Sequence, residues 1–344
     1  DGGWQVREEE GSECFRLSRS LALNLTPPPP QHTQVALLYH AADATSPPAW
    51  PDAAGRLTTH PVDLDSGEGL DDALAAIGGR AIAAVINAAA LSSPAACEAD
   101  PDGAARINVP SLLLAALGRA GAMTASPPPL FIQVSTDQVY AGEGAPAGGW
   151  AEGGGVVAPV NAYARTKAAA EAAVAGAWPS GRHLSLRCSV MVGALPPAWP
   201  LSPPGRVPFL QFAAAAVREA GTAGDDAQTG TAFFADEWRS FVGVRDVARV
   251  CLQAVDAAAA GKKLPPVLNV GGPARLSRAD LARSVAVALG VPPSVVREAS
   301  AGGSTRVPSP ADIGMDVGLL RRELGFEPRP LEAVIREELF VEEK

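Results

Sequence analysis

The chain has 344 residues, of which 47% are apolar, and it carries a formal net charge of −9 at pH 7. This length accommodates one large α/β domain with a smaller lobe, or two modest domains, and the apolar fraction is sufficient for a sizeable core. The acidic balance and the lack of clustered Lys and Arg exclude a nucleic-acid surface, although backbone N–H groups can still bind an anionic nucleotide.

The four cysteines and four histidines are scattered along the chain without the spacing of a metal site. We therefore predict reduced thiols, no metal and a cytoplasmic protein. No stretch reaches the roughly 20 apolar residues that span a bilayer, so we predict no membrane segment. The sequence starts at Asp1 rather than Met, and a targeting peptide would then lie outside it.

Residues 1–30 form an irregular N-terminal segment in this interpretation. A helix is predicted over residues 12–23, and the four prolines at positions 27–30 rule out its continuation. Such a run is typical of a stiff polyproline spacer.

From residue 34 onward, predicted strands and helices alternate. Strands are predicted at 34–39, 58–64, 83–87, 130–134, 184–190 and 267–271, and helices at 70–77, 106–120, 161–177, 209–219 and 244–259, with two or three more after 277. Several of these strands are almost continuously apolar. This pattern indicates a parallel sheet that is covered by helices on both faces, with ligands at the carboxyl ends of its strands.

The alternation of strands and helices is interrupted after residue 192, where a proline-rich stretch precedes the next helix. We predict a large domain from residues 31–192 plus 240–275. A smaller lobe, discontinuous in sequence, comprises residues 193–239 plus 276–344.

The strongest chemical signal is a tyrosine followed four residues later by a lysine, Tyr163 and Lys167, within a predicted helix. Positions four apart share one helical face, so both side chains can point into the same cleft. A nearby ammonium group favours the phenolate form of a tyrosine, which is what an acid/base tyrosine needs. The pattern is weak on its own and also occurs by chance.

Two neighbouring predicted strands end in small or polar residues. The strand at 130–134 leads into Ser135, Thr136 and Asp137, whose two hydroxyls could bind a substrate carbonyl. The simpler interpretation is that these residues begin a turn. One strand earlier, the run Asn87-Ala88-Ala89 would allow close approach of a ligand.

These motifs occur in the order found in extended short-chain dehydrogenase/reductases. The segments VINAAALSSPAACEADPDGAARINVPSLLLAALGRAG, QVSTDQVYAG and VNAYARTKAAAEAAV resemble the dTDP-4-dehydrorhamnose reductase branch of that family, and so do DEWRSFVGVRDVARV, LNVGGPARLSRADLARSVA and SPADIGMDVGLLRRELGF. The branch includes the regulatory β subunit of methionine adenosyltransferase, which the C-terminal segments resemble more closely. The similarity covers about residues 34–338.

The resemblance implies a Rossmann-type doubly wound parallel sheet that binds a dinucleotide, with the smaller lobe binding substrate. It implies that Tyr163 donates a proton to the reduced carbonyl, that Lys167 binds the nicotinamide ribose, and that Thr136, with Ser135 beside it, holds the substrate oxygen. Further cofactor positions implied are Asp63, Leu64, Asn87, Ala88, Ala89 and Arg187. Asn108 would brace the active site, and the implied substrate positions are Asp137, Gln138, Arg239 and Arg245, although a surface salt bridge explains either arginine equally well.

The sequence departs from the family in its glycine-rich loop. The first strand and the GxxGxxG motif should precede residue 34, where only Gly2, Gly3 and Gly11 occur. These glycines normally let the backbone approach the pyrophosphate. Either the N-terminal sequence is truncated or altered, or tight dinucleotide binding is lost; residues 4–6 and the helix at 12–23 could stand in for the missing strand and helix.

The end of the strand at 34–39 offers His40 and no acidic residue, which favours NADP over NAD. Three functions remain open on the sequence. The first is an NAD(P)H-dependent reductase of a 4-keto nucleotide-sugar. The second is a non-catalytic regulatory subunit that partners the methionine adenosyltransferase catalytic subunit, and the third is a Rossmann-like scaffold without a small-molecule role.

Overall fold

A computed structural model describes residues 35–40, 57–79, 82–194, 207–223, 231–302 and 307–340. The predicted helix at 12–23 and the proline run at 27–30 lie outside these residues. In the part of the chain that is described, no helix is both long enough and apolar enough to cross a membrane.

The strands are, in chain order, β1 (Val35–His40), β2 (Leu57–Val62), β3 (Ala84–Asn87), β4 (Leu130–Thr136), β5 (His183–Cys188), β6 (Met191–Val192), β7 (Ala232–Phe234), β8 (Trp238–Arg239), β9 (Val242–Gly243), β10 (Val267–Val270), β11 (Leu276–Ser277) and β12 (Arg297–Ala299). The helices are α1 (Leu70–Ile77), α2 (Pro94–Ala99), α3 (Pro101–Asn108), α4 (Ser111–Arg119), α5 (Ala162–Ala177), α6 (Phe209–Ala223), α7 (Val244–Ala259), α8 (Arg278–Leu289), α9 (Gly318–Leu324) and α10 (Leu331–Leu339).

The main sheet is parallel and has the strand order β10-β5-β4-β3. Strands β1 and β2 form a separate parallel pair, with Val35 opposite Leu57. Parallel strands connected through helices confirm the predicted α/β Rossmann-type fold.

The sheet is covered on both faces because side chains alternate along β4. Ile132 and Val134 lie in a core with Leu186 and with residues of α7. Phe131 points to the opposite face and belongs to a core with Val174 and with residues of α1 and α4. The carboxyl ends of β3, β4 and β5 therefore meet at one edge, flanked by helices.

The region after β3 differs from the prediction of one helix over 106–120. The chain forms α3 and α4 instead, because Pro110 lacks an N–H group and disfavours helical backbone at Val109. Asp100 caps the first of these helices by accepting the N–H of Gly103 at 2.9 Å.

A second apolar core is built largely from α6, α8, α10 and β7, with Leu210, Leu281 and Ile335 fully buried in it. Residues just before and within α9 instead pack on the main core, including Val317 and Leu320. The predicted division into two lobes stays a prediction.

Residues 307–317, named the crossing segment below, contact parts of the chain that lie far earlier in the sequence. Met315 forms a bridge with Trp150, and Asp312 forms one with Trp238 of β8. The Asp312 N–H also donates to the carbonyl of Gly142 at 2.9 Å. Gly142 has φ +78°, and a Cβ there would lie 2.4 Å from Cβ of Pro310, so only glycine permits this close approach.

Candidate functional site

A cleft opens at the carboxyl ends of β4 and β5, beside the start of α5. It has about 480 Å³ of atom-free space. Its lining comprises Ser92, Val134, Ser135, Thr136, Asp137, Gln138, Tyr163, Lys167, Cys188, Ser189, Val190 and Met191. We call it the first cleft. The structure thus brings the predicted phenol, amine and both hydroxyls to one cavity.

Tyr163 and Lys167 lie one turn apart near the start of α5. Asn161 caps this helix by accepting the N–H of Ala164 at 2.8 Å, and Glu98 accepts the N–H of Ala162 at 2.6 Å. The first turn is therefore fixed in place. Lys167 is 1% exposed, so its ammonium group lies within the cleft wall rather than in bulk solvent.

The side chain of Asn108 connects two elements beside this part of the cleft. Its side-chain amide donates to the hydroxyl of Thr166 at 2.8 Å and to the carbonyl of Leu91 at 3.0 Å. The amide oxygen accepts the N–H of Leu91 at 2.6 Å. One buried amide thereby connects α5 to the segment that follows β3.

The two neighbouring hydroxyls at the end of β4 have different partners. The Ser135 hydroxyl donates to Oε1 of Glu171 at 2.5 Å. Thr136 accepts the N–H of Gln138 at 3.2 Å and donates to Asp137 at 3.2 Å, both at the long end of hydrogen-bond distances. Both hydroxyls donate to a carboxylate, but the bond of Thr136 is much the longer, so Thr136 is the better placed of the two to serve a ligand.

A buried ion pair lies beneath the first cleft. Arg187 of β5 contacts both carboxylate oxygens of Glu171, with a closest distance of 2.8 Å, and their side chains are 7% and 12% exposed. Burial alone would lower the pKa of Arg187, but the hydrogen bonds and charge of Glu171 outweigh it and raise that pKa. Arg187 thus belongs to an internal network, and the described contacts give it no exposed face towards a cofactor.

The network extends from Arg187 to a buried phenol. Its guanidinium lies 5.0 Å from the ring centroid of Tyr140, whose hydroxyl donates to Asn269 of β10 at 2.7 Å. Burial raises the pKa of Tyr140, against the opposing influence of Arg187. This tyrosine is consequently a neutral structural group and not an acid/base candidate.

Asp137 and Gln138, predicted to bind substrate, line the first cleft but also bond to the protein. Asp137 accepts the hydroxyl proton of Ser189 at 2.7 Å. The amide oxygen of Gln138 accepts from the side chain of Asn161 at 2.9 Å. Both polar groups therefore have fixed orientations at the cleft wall.

A second cleft, with about 230 Å³ of atom-free space, lies beside the ends of β2 and β3. Its lining is mostly apolar: Leu64, Asn87, Arg106, Ile107, Val109, Pro110, Leu112 and Leu113. Asp63 lies at its border and accepts the Asp65 N–H at 2.8 Å. Apolar walls with a few polar groups suit a flat ring system.

The remaining predicted positions lie outside the lining of these two clefts. Ala88 is buried in the main core, and the Ala89 N–H donates to Asn87 at 3.3 Å. Arg239 is 1% exposed and donates to the Ser309 hydroxyl at 2.8 Å. Arg245 forms ion pairs with Glu337 and Glu338. Among the residues that the structure describes, no cluster of three or more His, Cys, Asp or Glu side chains could hold a metal.

Sequence reasoning missed three residues of this region. Glu171 lies four positions after Lys167, on the same helical face, and that spacing was a usable signal. Ser92 and Ser189 had no signal in the sequence, because each reaches the first cleft only through the packing of separate elements.

The chain is similar to proteins of known family and fold. A family model described as "NAD dependent epimerase/dehydratase family" matches residues 31–271. No curated protein sequence matches the chain.

Several solved structures share the fold. The hypothetical dTDP-4-dehydrorhamnose reductase from Sulfolobus tokodaii has 19% identity and a TM-score of 0.66, covering 94% of this chain and 97% of that one. The dTDP-4-dehydrorhamnose reductase from Bacillus anthracis in complex with NADP has 15% identity and a TM-score of 0.66, covering 90% and 99%.

The UDP-glucose 4-epimerase of Thermus thermophilus, in complex with NAD, has 20% identity and a TM-score of 0.69, covering 96% of each chain. At these identities the likeness shows the fold, while the family model covers well over half of the chain. The chain belongs to the NAD dependent epimerase/dehydratase family.

Proposed function

We propose that the chain is an NAD(P)H-dependent reductase of a 4-keto nucleotide-sugar, with Tyr163 as the proton donor. The observation that carries this proposal is the shared lining of one cleft by Tyr163, Lys167 and Thr136. A phenol, an ammonium and a hydroxyl in one cleft form a set that can protonate and hold a developing alkoxide.

The chemistry is a reduction in which one C–H and one O–H bond form as the C=O π bond breaks. A dihydronicotinamide cofactor, held by Lys167 and by residues of the second cleft, would supply the hydride to the carbonyl carbon. Tyr163 donates its proton to the carbonyl oxygen, and Thr136 donates a hydrogen bond that holds this oxygen in place. The Lys167 ammonium stabilises the resulting phenolate, which regains a proton from solvent.

The residues of the two clefts fit a dinucleotide cofactor. The apolar second cleft suits the adenine ring, bordered by Asp63 and Leu64, with Asn87 at the end of β3. Ala88 and Ala89 would follow the path towards the first cleft, where Lys167 would bind the nicotinamide ribose.

Two features bear on the cofactor's identity and affinity. His40, without an acidic neighbour, favours NADP over NAD. The three glycines before residue 34 do not form the family's loop, so no pyrophosphate contact is assigned to them. Arg187 is bound to Glu171, and we assign it a supporting rather than a cofactor-binding role.

The substrate class rests on the resemblance and on the related structures. Solved structures of similar fold include dTDP-4-dehydrorhamnose reductases and a UDP-glucose 4-epimerase. Asp137 and Gln138 line the first cleft and would contact the sugar. Arg239 would lie farther along, towards the nucleotide.

A second candidate function is the non-catalytic β-type regulation of methionine adenosyltransferase. The C-terminal sequence resemblance favours it, and a partner subunit tolerates an altered cofactor loop. Retained Tyr163 and Lys167 are compatible with this role, because a cofactor can bind without turnover.

The test combines binding with turnover. NADPH titrated against the protein should give saturable quenching of intrinsic fluorescence, and a dTDP-4-keto-6-deoxy sugar should be reduced. Tyr163→Phe should lower kcat by a factor on the order of 10²–10⁴ because it removes the proton donor. Tyr140→Phe is the matched control, since it deletes a buried phenol oxygen outside the cleft and should affect stability more than kcat.

Undiminished turnover in Tyr163→Phe would overturn the proposal. Co-purification with the methionine adenosyltransferase catalytic subunit, unaffected by Tyr163→Phe, would instead support the second candidate. A flat fluorescence titration would also contradict the reductase proposal.

A further inference from the structure

Three ionisable side chains follow one face of α5 at intervals of four residues: Tyr163, Lys167 and Glu171. Each interval is about one helical turn and advances roughly 6 Å along the axis, so Glu171 lies about 12 Å from the proton donor. The proposed mechanism uses the first two and gives Glu171 no part. Its carboxylate is nevertheless connected to the first cleft, because the hydroxyl of Ser135, which lines that cleft, donates to it at 2.5 Å.

Glu171 is paired with a cation that cannot lose its charge. The guanidinium of Arg187 contacts both oxygens of this carboxylate, and a guanidinium in a protein does not deprotonate. The two side chains are only 7% and 12% exposed, so solvent and salt screen their charges little. Without the carboxylate, Tyr163 would therefore lie near two uncompensated cations, Arg187 and Lys167.

A second uncompensated cation would make the phenol of Tyr163 a poorer proton donor. One ammonium beside a tyrosine assists proton exchange, whereas more positive charge favours the phenolate, which has no proton to give. At roughly 12 Å, with the effective dielectric constant typical of protein sites, a unit charge moves this equilibrium by about one pH unit. The ratio of phenol to phenolate at a given pH then changes about tenfold.

Several other ionisable groups surround the phenol and the ion pair. Those facing Tyr163 are Cys97 and Glu98 of α2, Lys167 of α5, Asp137 after β4 and Cys188 of β5, and those facing the ion pair are Tyr140 and Glu152. Burial raises the pKa of the Cys97 thiol to about 11 and also raises the pKa of Tyr140, so neither group is charged near neutral pH. All of these residues are retained in the variants below.

We propose that Glu171 is a positioning residue whose negative charge cancels that of Arg187, so that Tyr163 keeps the proton it must donate, an inference that rests on the proposed function. In this role the carboxylate touches neither substrate nor cofactor and acts through the electrostatic potential at the phenol. A purely structural ion pair would behave differently, because loss of either partner would then disturb Tyr163 in the same direction.

Removing the two charges singly and together tests the sign of the effect. Glu171→Gln keeps an oxygen for Ser135 and leaves a net positive charge, so the titration midpoint of Tyr163 should fall by about one pH unit. Arg187→Met leaves a net negative charge, since carboxylates are ionised at the alkaline pH where phenols titrate, and the midpoint should rise by about as much. The double variant is the matched control. Its pair again carries no net charge, and the midpoint should return to the wild-type value.

The phenolate absorbance of the protein without ligands measures this midpoint. The chain has three tyrosines, so each titration is repeated in a Tyr163→Phe background and the difference belongs to Tyr163. Circular dichroism at each pH checks that the protein stays folded. A buried charge without its partner is destabilising, whereas replacement of both partners is often tolerated. Should Glu171→Gln unfold, the comparison of Arg187→Met with the double variant decides, and a midpoint that is not higher in Arg187→Met contradicts the inference.

The same signs should appear in turnover, where the alkaline limb of the pH profile of kcat shifts with the titration midpoint. An unchanged midpoint in Glu171→Gln would overturn the inference. Shifts of the same sign in both single variants, or a double variant that keeps the shift of Glu171→Gln, would indicate a structural role instead. A wild-type protein without reductase turnover, whose variants still show the three titration results, would overturn the proposed function while supporting the charge compensation.

Discussion

The two clefts lie at the same edge of the fold but are built differently. The first is lined by hydroxyls, a phenol, an ammonium and a carboxylate, several of which are bonded to a buried network. The second is lined mainly by aliphatic side chains. Oriented polar groups suit chemistry, which needs atoms at fixed positions, whereas an apolar slot suits binding of a flat ring.

The difference predicts how each cleft responds to substitution. In the first cleft, a single lost contact disturbs charges and orientations that determine the reaction rate. In the second, a lost methyl group removes only a share of buried apolar area. The following experiments test this contrast, beginning with the largest expected effect.

Lys167→Met should be the most damaging change, because it removes the charge while keeping an unbranched side chain of nearly the same length. The phenolate left after proton transfer loses its stabilising ammonium, so kcat should fall by a factor on the order of 10²–10⁴. Steady-state kinetics with the dTDP-4-keto-6-deoxy sugar measures this loss. A Lys167→Met variant with wild-type kcat would contradict the assignment of the reaction to the first cleft.

Glu171→Gln should destabilise the protein strongly, because it leaves Arg187 charged and buried without its partner. Breaking a buried pair in this way typically lowers the free energy of unfolding by about 3–5 kcal/mol. Urea unfolding measures this loss of free energy, and Asp71→Asn is the control.

The Asp71–Arg119 pair has a similar two-oxygen contact, but its side chains are 64% and 60% exposed. Solvent screening should limit the effect of Asp71→Asn to less than about 1 kcal/mol. Equal losses of unfolding free energy in Glu171→Gln and Asp71→Asn would mean that burial does not strengthen the pair of Glu171 and Arg187.

Leu112→Ala should have the smallest effect on function. Leu112 lines the second cleft and is 40% exposed, so a bound ring would cover it. The NADPH dissociation constant should rise about three- to tenfold, with kcat unchanged at saturating cofactor.

Val287→Ala provides the control, because this exposed valine of α8 lies outside both clefts. An unaltered NADPH affinity in Leu112→Ala would contradict the assignment of the second cleft to the cofactor.

The sequence sufficed to predict the convergence of Tyr163, Lys167 and Thr136. One helical turn separates the first two, and parallel strands end at a common edge, so local rules determine the geometry. The break in the helix at Pro110 could also have been predicted from the sequence. The apolar periodicity over residues 106–120 instead indicated one continuous helix.

The hydrogen-bond and ion-pair partners of the site residues could not be predicted in the same way. Glu171, Arg187 and Ser135 come from a helix and two strands, and their contact depends on how those elements pack. In β4 and β5, Ser135 and Arg187 are register partners, which places both next to Glu171. Register is a property of the assembled sheet. The different roles of Ser135 and Thr136 could therefore be recognised only from the structure.

The crossing segment has a consequence for how the protein is made. The indole N–H of Trp150 donates to the carbonyl of Asp312, a residue 162 positions later in the chain. Ribosomes release the N-terminal part first, so the region around Trp150 must wait for the last part of the chain before its contacts are complete. Premature termination before residue 307 would leave Trp150 without its contacts to Asp312 and Met315, and the nascent chain would present this indole ring to chaperones and proteases.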